Sequence, residues 1–228
     1  MLRKEAISSE LLERIISLQK EDLFKDYILA GGTALALQTG YRNSIDIDLF
    51  SFEKQYNEVY VNYFRDNYKE VKVDYDVSGI LNMIVDNVKT DVCNIRGKLL
   101  ENPIREQGIV MFGLNDISAM KMSAICGRKR AKDYADIAYL LSNGMNLENM
   151  FELYKKKYDE KDIFNVKKAL AEFIKVNPYE WETVKVHDRK FYISNVPGII
   201  KNELERYNKK IGMGKNNKKK KNGYDYDI

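Results

Sequence analysis

Two adjacent glycines, Gly31 and Gly32, interrupt an apolar stretch, Tyr27-Ile28-Leu29-Ala30, immediately before a helix-favouring run from Thr33 to Thr39. A chain that leaves a strand through a Gly-Gly pair and enters a helix gathers backbone N–H groups at the helix N-terminus, where an anion can be held. The missing Cβ atoms let a phosphate come close, and Thr33 adds a hydroxyl. Residues 33 to 45 then separate this turn from Asp46-Ile47-Asp48-Leu49-Phe50. Residues two apart on a strand point to one side. Asp46 and Asp48 are therefore expected to project together, with Ile45, Ile47 and Leu49 facing the core. The paired carboxylates make a cradle for Mg²⁺, or alternatively Mn²⁺.

Two other Asp-x-Asp triplets occur, Asp74-Tyr75-Asp76 and Asp225-Tyr226-Asp227, so the triplet alone says little. Only the first follows a strand, a Gly-Gly turn and a helix. A site that handles phosphate with two metal ions commonly uses a third carboxylate. Asp91, in Lys89-Thr90-Asp91-Val92-Cys93, is the candidate because its strand can fold back beside that of Asp46; Asp74 and Asp76 compete for the role.

At 228 residues the chain suits one compact unit or two small domains. Hydrophobic residues make up 44% and charged residues 32%, an ordinary balance for a soluble protein. No apolar run approaches the ~20 residues of a membrane helix, and Met1-Leu2-Arg3-Lys4-Glu5 lacks a signal-peptide core; no membrane association and a cytoplasmic location are expected. Cys93 and Cys126 suggest neither a disulfide framework nor a zinc site. The single histidine, His187, excludes a His-rich metal site. Much of the net charge of +4 is local: Lys215 and Lys218 to Lys221 form a basic tail beside Asn and Gly, expected to be disordered over 213–228.

Periodicity predicts an amphipathic helix from Ser9 to Lys20, strands at Tyr27–Ala30 and Ser44–Ser51, and a helix over 53–69. Three extended segments follow, Lys72–Val77, Ile80–Val85 and Val88–Ile95, divided by turns at Ser78-Gly79 and Asp86-Asn87. Beyond Asn115 the pattern becomes helical, at 116–126, 130–142, 147–157, 160–175 and 196–210, with a looser stretch from Pro178 to Tyr192. The expected architecture is α+β: a mixed-sheet domain over 1–110 followed by a helical domain over 111–212, with the boundary near Gly108–Gly113.

A second charged motif runs from Lys121 to Asp136 and contains Arg128, Arg130, Lys132 and Asp133. If the segment is largely helical, Lys121, Arg128, Lys132 and Asp136 share one broad stripe. Such cations can neutralise a triphosphate while Asp136 orients one of them. Lys132 and Asp136 can equally form a plain i,i+4 ion pair, and either Arg128 or Arg130 can face the ligand.

The Gly-Gly pair followed by Asp-x-Asp resembles the signature of nucleotidyltransferases related to DNA polymerase β. The fuller set, Gly31-Gly32-Thr33-Ala34-Leu35, then Arg42, Ser44, Asp46, Asp48, Leu49 and Phe50, then Lys121, Arg128, Lys132, Asp133 and Asp136, resembles the AbiEii/AbiGii toxin family. That family includes toxins of type IV toxin–antitoxin and phage-abortive-infection systems. The resemblance implies a nucleotidyltransferase fold and NMP transfer from an NTP to an acceptor hydroxyl, with RNA, above all the tRNA 3′ end, as first candidate. Asp46, Asp48 and the less secure Asp91 would hold metal; Gly31, Gly32, Thr33, Ser44, Lys121, Arg128 and Lys132 would bind the nucleotide; Asp136 would be the late catalytic or orienting carboxylate. A cognate antitoxin is implied, without a required stable complex. A protein or small-molecule acceptor needs the same chemistry, and a non-catalytic RNA- or partner-binding protein would keep the fold without releasing pyrophosphate.

Overall fold

The computed structural model describes the backbone of residues 1–221 and the side chains of residues 1–212. In chain order it contains α1 (Ser9–Leu18), β1 (Ile28–Leu29), α2 (Gly31–Thr39), β2 (Ile47–Ser51), α3 (Asn57–Asn67), β3 (Val71–Val77), β4 (Ile80–Val85), β5 (Val88–Asn94), β6 (Ile104–Glu106) and β7 (Ile109–Met111). Helices follow as α4 (Leu114–Gly127), α5 (Ala131–Ser142), α6 (Leu147–Tyr158), α7 (Phe164–Ala171), α8 (Pro178–Glu182) and α9 (Val196–Lys221).

The strands form one mixed sheet in the order β3-β4-β5-β2-β1-β7-β6. β2 runs parallel to β5 and β1 parallel to β7, while the remaining neighbours are antiparallel. The β2–β5 register places Asp48 directly beside Asp91. Local chemistry explains the elements that fix this arrangement. Ser8 caps α1 by accepting the Leu11 N–H, and Leu11, Ile15 and Leu18 bury the apolar stripe. α2 is buried from Thr33 to Leu37 and ends at Gly40, whose φ of +69° is the left-handed conformation a helix C-terminus favours. One continuous core runs from Leu29 and Leu49 in the sheet through Leu35 in α2 to Ile117, Ile137 and Phe151 in the later helices. That continuity brings the two charged motifs to one place.

The structure differs from the sequence expectation at several points. Ile45, expected in the core, is 74% exposed, because β2 begins only at Ile47 and strand alternation has not started. The segment before it is held instead by Ser44 N–H donating to the Ala6 carbonyl (3.1 Å) and Asn43 N–H donating to that of Lys185 (3.2 Å). The β6–β7 hairpin was not expected; its turn uses Gln107 and Gly108 at φ of +53° and +82°, and β7 pairs with β1, which leaves β6 as the edge strand. The helix expected over 160–175 is α7 followed by a short 3-10 turn at Glu172–Lys175. The basic tail expected over 213–228 lies outside the residues whose side chains are described.

Candidate active site

Asp48 and Asp91 lie side by side on adjacent parallel strands, and Asp46 stands just ahead of β2. Asp91 is 8% exposed. Its Oδ2 accepts from Lys89 Nζ at 2.5 Å, while its Oδ1 is buried without a hydrogen-bond partner among the described residues. Asp46 Oδ2 accepts from Lys132 Nζ at 2.6 Å. Burial raises the Asp48 pKa, and the Asp91 charge raises it further. Asp74 and Asp76 lie on β3, two strands away from the β5 that carries Asp91; Asp74 pairs with Lys72 and Asp76 accepts from Asn57.

Gly31 and Gly32 serve this cluster sterically. Gly31 has φ of +66°, and a Cβ there would lie 1.8 Å from Asp48 Oδ2. A Cβ on Gly32 would lie 2.3 Å from Arg42 Nη2. The two glycines thus let one carboxylate and one guanidinium close onto the α2 N-terminus. Thr33 sits behind this surface and is buried. Its hydroxyl donates to the Asp46 carbonyl at 2.5 Å and lies 2.9 Å from the buried Ser44 hydroxyl, fixing the backbone that carries Asp46.

The second motif does not form one helix. α4 ends at Gly127 and α5 starts at Ala131, with Arg128 and Arg130 extended between them. The break folds α5 back so that Lys121 donates to both Asp133 (2.8 Å) and Asp136 (2.6 Å). Arg128 Nε donates to Asp133 Oδ2 at 2.8 Å. Asp136 is fully buried and receives Arg42 Nε (2.7 Å), Arg42 Nη2 (2.9 Å), Lys121 and the Tyr41 hydroxyl. Burial alone would raise the Asp136 pKa, but Arg42 and Lys121 outweigh it and hold the carboxyl well below the usual range. Burial likewise opposes the Lys121 charge, yet Asp133 and Asp136 reverse the effect and raise its pKa. Lys132 reaches Asp46 rather than Asp136, and Arg130 turns to Glu180 at 3.4 Å.

These groups meet in a cleft of about 770 Å³. Gly31, Gly32, Asp46, Asp48, Asp91, Lys121, Arg128 and Lys132 all line it; Thr33, Ser44 and Asp136 stand behind the wall. Four further residues belong to the site. Lys89 lines the cleft and could have been found from sequence, since it shares a strand face with Asp91 two residues on. Arg42 and Asp133, which the family resemblance includes without a role, hold Asp136 and the cations Lys121 and Arg128 respectively. Arg96 also lines the cleft.

The donor set suits a hard divalent cation: carboxylate oxygens, one of them buried and unpartnered. No three acidic, His or Cys side chains converge on one point among the described residues, with Asp46 and Asp91 each turned to a lysine. A cation would take over the neutralisation that Lys132 and Lys89 now provide.

A mixed sheet with paired carboxylates on adjacent strands, a Gly-Gly turn at a helix N-terminus and a facing cluster of cations defines a nucleotidyltransferase. Comparison narrows the class. The family model described as nucleotidyl transferase AbiEii toxin, type IV TA system, matches residues 11–80 and 64–190, and the chain belongs to this family. The protein aq_aa25 of Aquifex aeolicus (strain VF5) is 32% identical over 210 residues, covering 90% of this chain and 97% of the relative. Among solved structures, JHP933 from Helicobacter pylori aligns with a TM-score of 0.56 at 16% identity, covering 95% of this chain and 100% of that one. The nucleotidyltransferase toxin MenT4 from Mycobacterium tuberculosis H37Rv aligns with a TM-score of 0.56 at 12% identity, covering 85% and 80%. Both structural likenesses are likenesses of fold.

Proposed function

We propose that this nucleotidyltransferase toxin moves NMP from an NTP to a hydroxyl of RNA, with the tRNA 3′ end as first candidate, in a divalent-metal-dependent reaction. The observation that carries the proposal is the pairing of Asp48 with Asp91, whose Oδ1 is buried and unpartnered, in one cleft with Gly31, Gly32 and the Lys121–Arg128 cations. Asp46, Asp48 and Asp91 would hold Mg²⁺ or Mn²⁺, which would supply charge neutralisation at the phosphates and activate the attacking hydroxyl.

The chain's own residues supply the rest. Free N–H groups at the start of α2 bind phosphate oxygens. Arg128 and Lys132, both partly exposed in the cleft, bind the charge that grows on the departing phosphates. Lys121 adds a fixed positive charge, and Asp136 acts through it and Arg42 as a positioning residue. The acceptor oxygen bonds to the α-phosphorus as the α–β bridging bond breaks and pyrophosphate leaves; the Asp91 carboxylate takes the hydroxyl proton. Modification of RNA in the cytoplasm would block translation, and a cognate antitoxin need not bind the toxin.

The test is incubation with each α-³²P-labelled NTP, Mg²⁺ and total cellular RNA beside the Asp48→Asn variant. Label on a tRNA-sized band that disappears in the variant is expected. Label on protein instead would move the acceptor assignment to a protein hydroxyl, and no label from any NTP would overturn the proposal.

A further inference from the structure

Ile45 is an isoleucine with most of its surface in water, next in sequence to a cleft carboxylate. It lines a second groove of about 300 Å³ together with Ser8, Leu11, Ile84, Val88 and Asn87. This groove shares Asp46 and Lys89 with the nucleotide cleft but not Gly31, Gly32, Lys121 or Arg128. It therefore meets the cleft at Asp46 and Lys89, apart from the phosphate-binding elements. Its two walls are α1 and the β4–β5 turn, and Arg14 ties them together. Arg14 Nη1 donates to the Val85 carbonyl at 2.7 Å, its guanidinium lies 4.0 Å from Asp86 and it stacks over the Tyr68 ring. The groove is consequently built into two fixed elements.

We infer that this groove receives the terminal nucleoside of the polynucleotide acceptor and presents its hydroxyl to the cleft across Asp46 and Lys89, which line both. The inference rests on the nucleotidyl-transfer reading above. In-line displacement requires the attacking oxygen to approach opposite the departing pyrophosphate, and the groove reaches the cleft at Asp46 and Lys89 rather than at Gly31, Gly32, Lys121 or Arg128, the residues given to the phosphates above. Its lining suits a nucleoside: apolar side chains of Ile45, Ile84 and Val88 for the faces of a flat base, with Ser8 and Asn87 for its polar edge. The charged lining, Glu10, Arg14, Asp46, Asp86 and Lys89, has no excess of cations, so recognition falls on the nucleoside rather than on a run of phosphates. A Ser hydroxyl on a protein acceptor would leave most of this volume unfilled, and a Tyr, whose one polar side-chain atom must face the cleft, would leave Ser8 and Asn87 without a partner.

Two exposed positions test the groove without disturbing the core. Ile45→Ser removes the apolar contact, and Glu10→Trp fills the space from α1. With the full chain, Mn²⁺ and a non-hydrolysable NTP analogue, nucleotide affinity in both variants should stay within about twofold of the unaltered protein. The RNA concentration giving half-maximal label transfer should rise at least tenfold. In parallel, RNA ending in 4-thiouridine should, on irradiation, crosslink to peptides containing residues 8–14, 45 or 84–89. Unchanged half-saturation in both variants, equal loss of nucleotide affinity, or crosslinks confined to the helices after Asn115 would overturn the groove assignment while leaving nucleotidyl transfer intact. Absence of transfer and of crosslinks in the unaltered protein would overturn both. Transfer to protein alone would replace the nucleoside by a protein hydroxyl.

Discussion

Burial raises the Asp48 pKa and the adjacent Asp91 raises it further, so holding Asp48 ionised at neutral pH costs folding free energy. For an acid whose folded pKa is raised, the penalty appears as pH rises above the unfolded value of about 4. Asp48→Asn should therefore melt higher than the unaltered protein at pH 7 without metal, by about 2–4 °C, the shift that ~1 kcal/mol produces in a chain of this length. It should also lose label transfer. A lower melting temperature in the variant would show that the Asp48 charge is well solvated. Gly31 carries the converse constraint, because a Cβ there meets Asp48 at 1.8 Å on top of the positive φ. Gly31→Ala should cost about 1–3 kcal/mol, measured by urea denaturation, and the cost should fall in an Asp48→Ala background where the clash is gone. An equal cost in both backgrounds would assign it to backbone strain alone. The glycines and carboxylates were legible because their signals are local. Ile45 was misplaced because alternation says nothing about where a strand begins.

At the scale of elements, the break between α4 and α5 decides the chemistry. A continuous helix would have left Lys121 roughly 18 Å along the axis from Asp133. The fold-back gives Lys132 to Asp46 and places Asp133 and Asp136 around Lys121. The sequence did show two helical segments there, but not the pairing, since the Arg42–Asp136 contact joins residues 94 apart. The β6–β7 strands are three residues each, too short for alternation to register. Removing Arg42 leaves the buried Asp136 with Lys121, itself shared with Asp133, as its remaining cation, so Arg42→Met should destabilise by about 3 kcal/mol, the low end for breaking a buried pair. The folded pKa of Asp136 is depressed, so its contribution is complete above the unfolded value of about 4 and is lost as pH falls below it. Acid melts should show the unaltered protein losing stability below about pH 4, with a shallower slope in Arg42→Met. Parallel slopes would mean that this pair does not govern the acid limb.

For the whole molecule, the shared core joins the carboxylate sheet to the cationic helices, and a metal–nucleotide complex would bridge them. A ligand that binds only the folded state raises stability by about 2.7 kcal/mol at a hundred times its Kd. Mn²⁺ and a non-hydrolysable NTP together should therefore raise the melting temperature by more than the sum of each alone, since the nucleotide phosphates can draw Lys132 from Asp46 and free it for the ion. Additive shifts would place the two ligands at independent sites. The α+β class was readable from the change of periodicity after Asn115, whereas the sheet order was not, because it depends on parallel pairings across long connections. The central claim, that the Asp48–Asp91 corner and the Lys121–Arg128 cluster form one metal–nucleotide site, is tested most directly by electron–nuclear double resonance of bound Mn²⁺ with a non-hydrolysable NTP. Phosphorus coupling to the bound ion, present in the unaltered protein and lost in Asp48→Asn, is the expected result. Bound Mn²⁺ without phosphorus coupling, or coupling that survives in Asp48→Asn, would contradict it.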